Sequence, residues 1–216
     1  MALEGIDVHD AQGGIDWYRV ANDNRAFAFI RAAYGDRVDN LVVQNFVGAK
    51  HQGLVCGLYH FYRVTRDAKK QADLMVKILK QSNLGFGKGD LPPVIDVEDN
   101  PAYDGPWDTN DNAKMIAGVT AWVDRIRQEF GCEPIVYTRA SFWTVLGNPP
   151  GFSSQPMWVA HYQNSAGSPA APTLPAGWSD YEFWQYTDHG HCDGVSGGGD
   201  LNRFSGKKSD LMTLTL

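Results

Sequence analysis

Apolar residues fall along this chain in short runs, and amphipathic stretches separate most of them. The runs at 5–9, 26–33, 54–62, 94–98 and 134–138 are rich in Val, Ile, Leu, Phe and Ala. Turn residues and prolines bound them, which is the pattern of buried strands with stops at both ends. Between the runs the apolar period changes to three or four. At 65–81, Ala68, Ala72, Met75, Val76 and Leu79 make one helical stripe, with Thr65 placed to cap it and Asp67 suited to its N-terminal dipole. At 109–130, Ile116, Val119, Val123, Ile126 and Phe130 make another, closed by Gly131 as C-cap. Shorter helices are predicted at 15–24, with Asp16 in the first turn, at 39–52 and at 140–146. The stretch 100–108 reads as a loop. Beyond 146 the helical pattern stops: strands at 157–161 and 181–187 flank a Ser-, Gly- and Pro-rich loop at 164–177. A Gly-rich, hairpin-like region at 189–199 follows, and Asp200-Leu201-Asn202-Arg203-Phe204 closes the set. Five strand–helix alternations and then three strands with little helix predict an α/β fold, a shortened TIM-like barrel.

Composition narrows the classes. A chain of 216 residues, 43% hydrophobic and 20% charged, can bury one substantial core. No linker or repeat divides it, so 1–216 reads as a single domain without an appended binding module, and a monomer is expected. The net charge of −6 and the lack of a basic run argue against nucleic acid as a partner. The apolar runs are too short for membrane insertion. The first residues carry neither a basic n-region nor an apolar h-region, so no Sec signal is read. Cys56, Cys132 and Cys192 form no Cys-x-x-Cys and no disulfide framework, which suits synthesis in a reducing cytoplasm.

The candidate chemistry sits in Val94-Ile95-Asp96-Val97-Glu98. Strand side chains alternate faces, so Asp96 and Glu98 point the same way with Cα atoms about 6.5–7 Å apart. Burying both as anions costs several kcal/mol, and the cheap escape is for one to hold a proton. One protonated and one ionised carboxyl is what glycoside hydrolysis needs. An acid pair alone is also an ordinary strand end. What favours chemistry is convergence: Asp7, Tyr59, Asp96, Glu98 and Tyr137 all lie near predicted strand C-termini, and Asp200 lies on the closing segment, so one barrel mouth collects them. Seven Trp and nine Tyr suit a cleft that stacks on sugar rings.

In sequence order the chain carries Gly5-Ile6-Asp7-Val8 with Gln12-Gly13 and Ile15-Asp16-Trp17, then Phe29-Ile30-Arg31-Ala32, then Gly57-Leu58-Tyr59-His60-Phe61. Leu91-Pro92-Pro93-Val94-Ile95-Asp96-Val97-Glu98, Ile135-Val136-Tyr137-Thr138, Met157-Trp158-Val159-Ala160, Phe183-Trp184-Gln185-Tyr186 and Asp200-Leu201-Asn202-Arg203-Phe204 follow. The set resembles glycoside hydrolase family 25, the Chalaropsis-type lysozymes. The resemblance implies a barrel of five β/α units plus three strands. It also implies retaining cleavage of the β-1,4 bond between N-acetylmuramic acid and N-acetylglucosamine in peptidoglycan glycan strands; carboxyl and hydroxyl groups fill every role in that scheme, so no cofactor and no metal is expected. By the same resemblance Glu98 is the general acid/base, Asp96 assists it, and Asp7 and Asp200 are further active-site acids. Tyr59, Tyr137, Trp158, Trp184 and Gln185 lie in motifs that line the family's sugar cleft. The expected scheme uses the substrate's own acetamido group, with Asp96 ionised and Glu98 protonated. An enzyme of this kind made without a Sec signal reaches the wall by lysis or a dedicated secretion machine.

His9 stands where the family usually has Ser, and the stretches 100–108 and 197–199 follow no family pattern. The rival readings are a non-catalytic carbohydrate-binding barrel and a chitinase-like hydrolase. His189, His191, Cys192 and Asp193 invite a metal reading, but their spacing matches no site template. Cys56 lies in an apolar strand and reads as inert.

Overall fold

A computed structural model describes residues 2–162 and 171–216. Within them one sheet contains β1 (Leu3–Val8), β2 (Arg25–Tyr34), β3 (Arg37–Val38), β4 (Val55–Phe61), β5 (Val94–Asp96), β6 (Ile135–Thr138), β7 (Met157–Ala160), β8 (Phe183–Gly190) and β9 (Gly199–Phe204). Its order is β1-β9-β8-β7-β6-β5-β4-β2-β3, and β1 also pairs with β2, so eight strands close into a barrel while β3 hangs off the end of β2. Neighbours in the barrel run parallel except at β9, which is antiparallel to both β1 and β8. The helices α1 (Trp17–Asn22), α2 (Val42–His51), α3 (Ala68–Leu79), α4 (Pro101–Asp104), α5 (Asn112–Phe130) and α6 (Ala140–Val145) lie in the connections from β1 to β7. A last helix, α7 (Lys208–Leu214), follows β9. The barrel of five β/α units and three further strands agrees with the sequence pattern.

Strand alternation divides the core in two. Phe27 and Phe29 of β2 belong to one buried cluster with Val94, Ile135, Trp158, Phe183 and Phe204, which fills the barrel. Their neighbours Ala28, Ile30 and Ala32 face outward, into the layer that the helices cover with residues such as Met75, Val119 and Ile126. The barrel is filled tightly enough to need glycine on the adjacent strands. A Cβ on Gly5 would stand 2.4 Å from the Phe27 ring, and one on Gly57 2.5 Å from the Phe29 ring.

Several local expectations change. Asp67, not Thr65, caps α3: its side chain accepts from the Lys70 N–H at 2.8 Å, a carboxylate suited to a helix N-terminus. The Thr65 hydroxyl instead donates to Asp104 Oδ1 at 2.8 Å. The stretch 100–108 holds α4, started by Pro101 at its first turn. Gly131 ends α5 in the left-handed region, φ 66°, as its type predicts. The small strand β3 and helix α7 were not foreseen. Of the loop at 164–177, only residues from 171 on fall among those described. No described helix is long and apolar enough to cross a membrane.

Candidate active site

The inward face of each strand changes character toward one end of the barrel. Gly5 gives way to Asp7 on β1, Phe29 to Arg31 on β2, Val94 to Asp96 on β5, Ile135 to Tyr137 on β6 and Phe183 to Gln185 on β8. On β9 the order is reversed, Asp200 before Asn202 before Phe204, because that strand runs the other way. Antiparallel β9 therefore brings the start of its sequence to the mouth where the parallel strands end, and Asp200 sits in register with Asp7. Glu98, two residues past Asp96 and just beyond β5, continues the same inward face.

The result is a cleft of about 370 Å³ lined by Asp7, Tyr59, Asp96, Glu98, Tyr137, Trp158, Gln185 and Asp200. A second cavity of about 550 Å³ lies on the other side of Glu98 and Tyr137, with Arg139, His161 and Tyr162 among its walls. Glu98 is thus placed where the two meet, its side chain 27% exposed, whereas Asp96 is buried.

Hydrogen bonds fix the floor. Gln185 Nε2 donates to Asp7 Oδ2 at 2.9 Å, and Asn202 Nδ2 donates to the same oxygen at 2.7 Å. The hydroxyls of Tyr137 and Tyr162 donate to Gln185 Oε1 at 2.7 and 3.0 Å, which orients that amide. Trp158 Nε1 donates to Asn202 Oδ1 at 2.8 Å and orients the other. Burial raises the Asp7 pKa, and the donors Asn202, Gln185 and Asp200 pull it back. Burial, and then the charge of Asp7, push Asp200 far above the carboxylate range. The facing pair therefore keeps one proton, on Asp200, and Asp7 is the better supported anion.

The acids of the β5 motif behave differently from each other. Burial, then the charges of Glu98 and Asp7, hold Asp96 well above its ordinary value. Its Oδ1 is buried and has no hydrogen-bond partner among the described residues. Burial raises Glu98 to about 7, with Arg139 working against that rise and Asp99 and Asp7 adding to it. Glu98 is thus poised near neutrality. Asp96, pictured from sequence as the ionised partner, is the carboxyl that burial pushes more strongly toward its neutral form.

Trp184 does not come to the cleft. It sits between Phe183 and Gln185 and so faces the opposite way, buried in the outer layer, with Nε1 donating to the His161 carbonyl at 2.7 Å. Tyr162, Asn202, Arg31 and Arg139 stand at the site without having been singled out. Asn202 was within reach of sequence reasoning, since it lies two residues from Asp200 on one strand. Arg31 lines the cleft while its Nε holds Asp39 Oδ2 at 2.9 Å, a pairing between β2 and the loop after β3. His9, in place of the usual Ser, does a cap's work: its Nδ1 accepts from the Ala11 N–H at 3.2 Å. His60 is a core residue behind β4, with Trp122 Nε1 donating to its Nδ1 and its Nε2 at 2.7 Å from the Gly35 carbonyl. His189 and His191 diverge, each toward a neighbouring aspartate, while Cys192 is buried. Among the described residues no three His, Cys, Asp or Glu side chains gather as a metal site would require. Cys56 is buried, and burial pushes its thiol far up, which agrees with an inert residue.

The profile of Glycosyl hydrolases family 25 matches residues 6–195. Lysozyme M1 from Streptomyces globisporus is 33% identical over 98% of this chain and 71% of its own length. An N,O-diacetylmuramidase from Arthroderma benhamiae is 27% identical over 97% of this chain and 85% of its own. The crystal structure of the bacterial lysozyme from Streptomyces coelicolor superposes with a TM-score of 0.86 at 32% identity, covering 100% of this chain and 97% of that one. The match in sequence and the match in barrel geometry span the same strands that carry the carboxylates, and on that ground the chain belongs to glycoside hydrolase family 25.

Proposed function

We propose that the protein is a peptidoglycan muramidase that cleaves the β-1,4 bond between N-acetylmuramic acid and N-acetylglucosamine with retention, and that its action lyses bacterial cell walls. The observation that carries this reading is Glu98, a carboxyl raised to about 7 and placed where two sugar-sized cavities meet. A group with that pKa gives a proton and takes one back near neutral pH, which a retaining hydrolase requires of a single residue.

Glu98 protonates the glycosidic oxygen, and the bond from that oxygen to the anomeric carbon breaks. The acetamido carbonyl oxygen of the muramic acid attacks the same carbon from the opposite face and forms an oxazolinium ring. Asp96 supports that attack. Its unpartnered Oδ1 is an acceptor awaiting a donor, and the acetamido N–H supplies one. That hydrogen bond favours the ionised carboxylate and offsets part of the burial cost that works against it. Glu98, now a carboxylate, then takes a proton from water. The water adds to the anomeric carbon from the side the leaving sugar occupied, and the ring reopens. Asp7, held by Gln185 and Asn202, contributes fixed negative charge toward the developing cation.

Glu98→Gln keeps the side-chain shape and removes the proton. It is expected to lower kcat on purified peptidoglycan by about 10²–10⁴ while leaving the melting temperature within error. A variant that still clears cell walls would remove the assignment. Release from chitin rather than from peptidoglycan by the unmodified protein would replace muramidase with chitinase.

A further inference from the structure

Arg139 directly follows β6 and stands at the head of α6. Most of its guanidinium is already committed. One terminal nitrogen donates to Asp99 Oδ1, Nε donates to the Ser141 hydroxyl at 3.2 Å, and the plane lies over the Phe142 ring with Cζ 5.5 Å from the centroid. The remaining nitrogen, Nη1, lies 3.5 Å from Glu98 Oε2, close enough for charge attraction and long for a hydrogen bond. Asp99 is the next residue after Glu98, so one short segment supplies both the acid and the anchor of its counter-charge.

We propose that Asp99 and Arg139 form a charge clamp on Glu98: Asp99 tethers the guanidinium, and the tether keeps Arg139 beside the acid without letting the two close into a tight pair. This rests on Glu98 being the acid/base. A bare Arg–Glu pair would fix Glu98 as a carboxylate and leave it no proton for the first step. An acid with no cation beside it would hold its proton too firmly to act as the base of the second. The tethered arginine sets an intermediate condition, and both residues are positioning residues, acting through Glu98.

The other charged or titratable groups facing Glu98 include Asp7 of β1, Asp96 of β5, Tyr137 of β6, Tyr162 beyond β7 and Asp200 of β9, and His161, Arg31, Arg63 and Asp104 line the cavities that Glu98 borders. The acids among them add negative charge, and Arg139, 3.5 Å from Glu98 Oε2, is the cation that opposes them most directly.

The clamp predicts opposite responses from its two members, read in the pH profile of kcat/KM on purified peptidoglycan. Arg139→Gln removes the cation, so the alkaline limb moves up by about 0.5–1 pH unit, less than a fully buried pair would give because the arginine is 38% exposed. Asp99→Asn removes a repelling charge and frees the guanidinium to close on Glu98, so the limb moves down. Arg139→Lys keeps the charge and stays nearer the parent profile than Arg139→Gln. Limbs that stay in place, or that move in the same direction in Arg139→Gln and Asp99→Asn, overturn the clamp. If Arg139→Gln does not fold, the downward shift in the near-isosteric Asp99→Asn decides alone. An inactive Glu98→Gln together with unmoved limbs defeats the clamp and spares the muramidase reading, whereas an active Glu98→Gln defeats both.

Discussion

The two ends of the barrel interior are built from the same strands and the same face, yet they do opposite things. At one end Phe27, Phe29, Phe183 and Phe204 pack ring on ring, with centroids 4.9–6.0 Å apart between contacting pairs, and no polar side chain among them needs a partner. Two residues along those strands stand Arg31, Gln185 and Asn202, and Asp7 and Asp96 hold the equivalent inward positions on β1 and β5. The first end collects the gain of burying apolar area. The second gives part of it up, because Asp96 is buried with an unpartnered oxygen and Asp200 stays protonated far outside the carboxylate range. The difference teaches that stability and chemistry are separated along the barrel axis by a single strand repeat, and that substitutions at the two ends are expected to fail in different ways.

The sharpest break is at the apolar end. Phe183→Ala leaves a cavity among three aromatic rings and should cost about 3–5 kcal/mol in denaturant unfolding, with kcat per folded molecule unchanged. A large fall in kcat without loss of stability would mean that the two ends are not separate. At the polar end Asp96→Asn should do the reverse, lowering kcat by about 10²–10³ while the melting temperature holds or rises. Its pH dependence follows from the sign of the shift. The folded pKa of Asp96 lies above its unfolded value, so the native state binds more protons, and this contribution is present at acid pH and lost as pH rises through the folded pKa. The parent protein should therefore lose stability as pH rises above about 4, and unfolding curves of the Asn variant across that range should be flatter. The smallest effect is at Trp184, which belongs to neither end. Trp184→Phe removes the hydrogen bond to the His161 carbonyl and should cost about 1 kcal/mol with KM unchanged, whereas Trp158→Phe should raise KM.

Trp184 also shows how far the sequence could be read. Five alternations of period-two and helical patterns, followed by three strands, determine the barrel because each segment buries one face in a way that few other arrangements allow. The same parity that aligns Asp96 with Glu98 places Trp184 opposite Gln185, so the motif Phe183-Trp184-Gln185 cannot send both to the cleft. Reading motif members together, without that alternation, is what put Trp184 there. Asn202 follows Asp200 at the same parity and was legible for the same reason. Arg139 and Tyr162 continue the inward parity of Tyr137 and Trp158 just past their strands, as Glu98 does past β5; what sequence hides is the closure of the barrel, which brings them to Glu98 and Gln185. The proton distribution was hidden too. Asp96 and Glu98 are equivalent in sequence, and the difference between them comes from depth, since one is buried and the other meets solvent and Arg139.

Glu98 serves both halves of the reaction from one side of the sugar, first protonating the leaving oxygen and then activating the water that takes its place, while Asp96 on the same strand face supports the acetamido group. The direct test is the first-formed anomer, followed by proton NMR during cleavage of purified glycan strands, before mutarotation blurs it. Retention, seen as the β anomer of the new reducing end appearing first, is the predicted result. The α anomer appearing first would mean that water attacks from the opposite face, and would contradict the account.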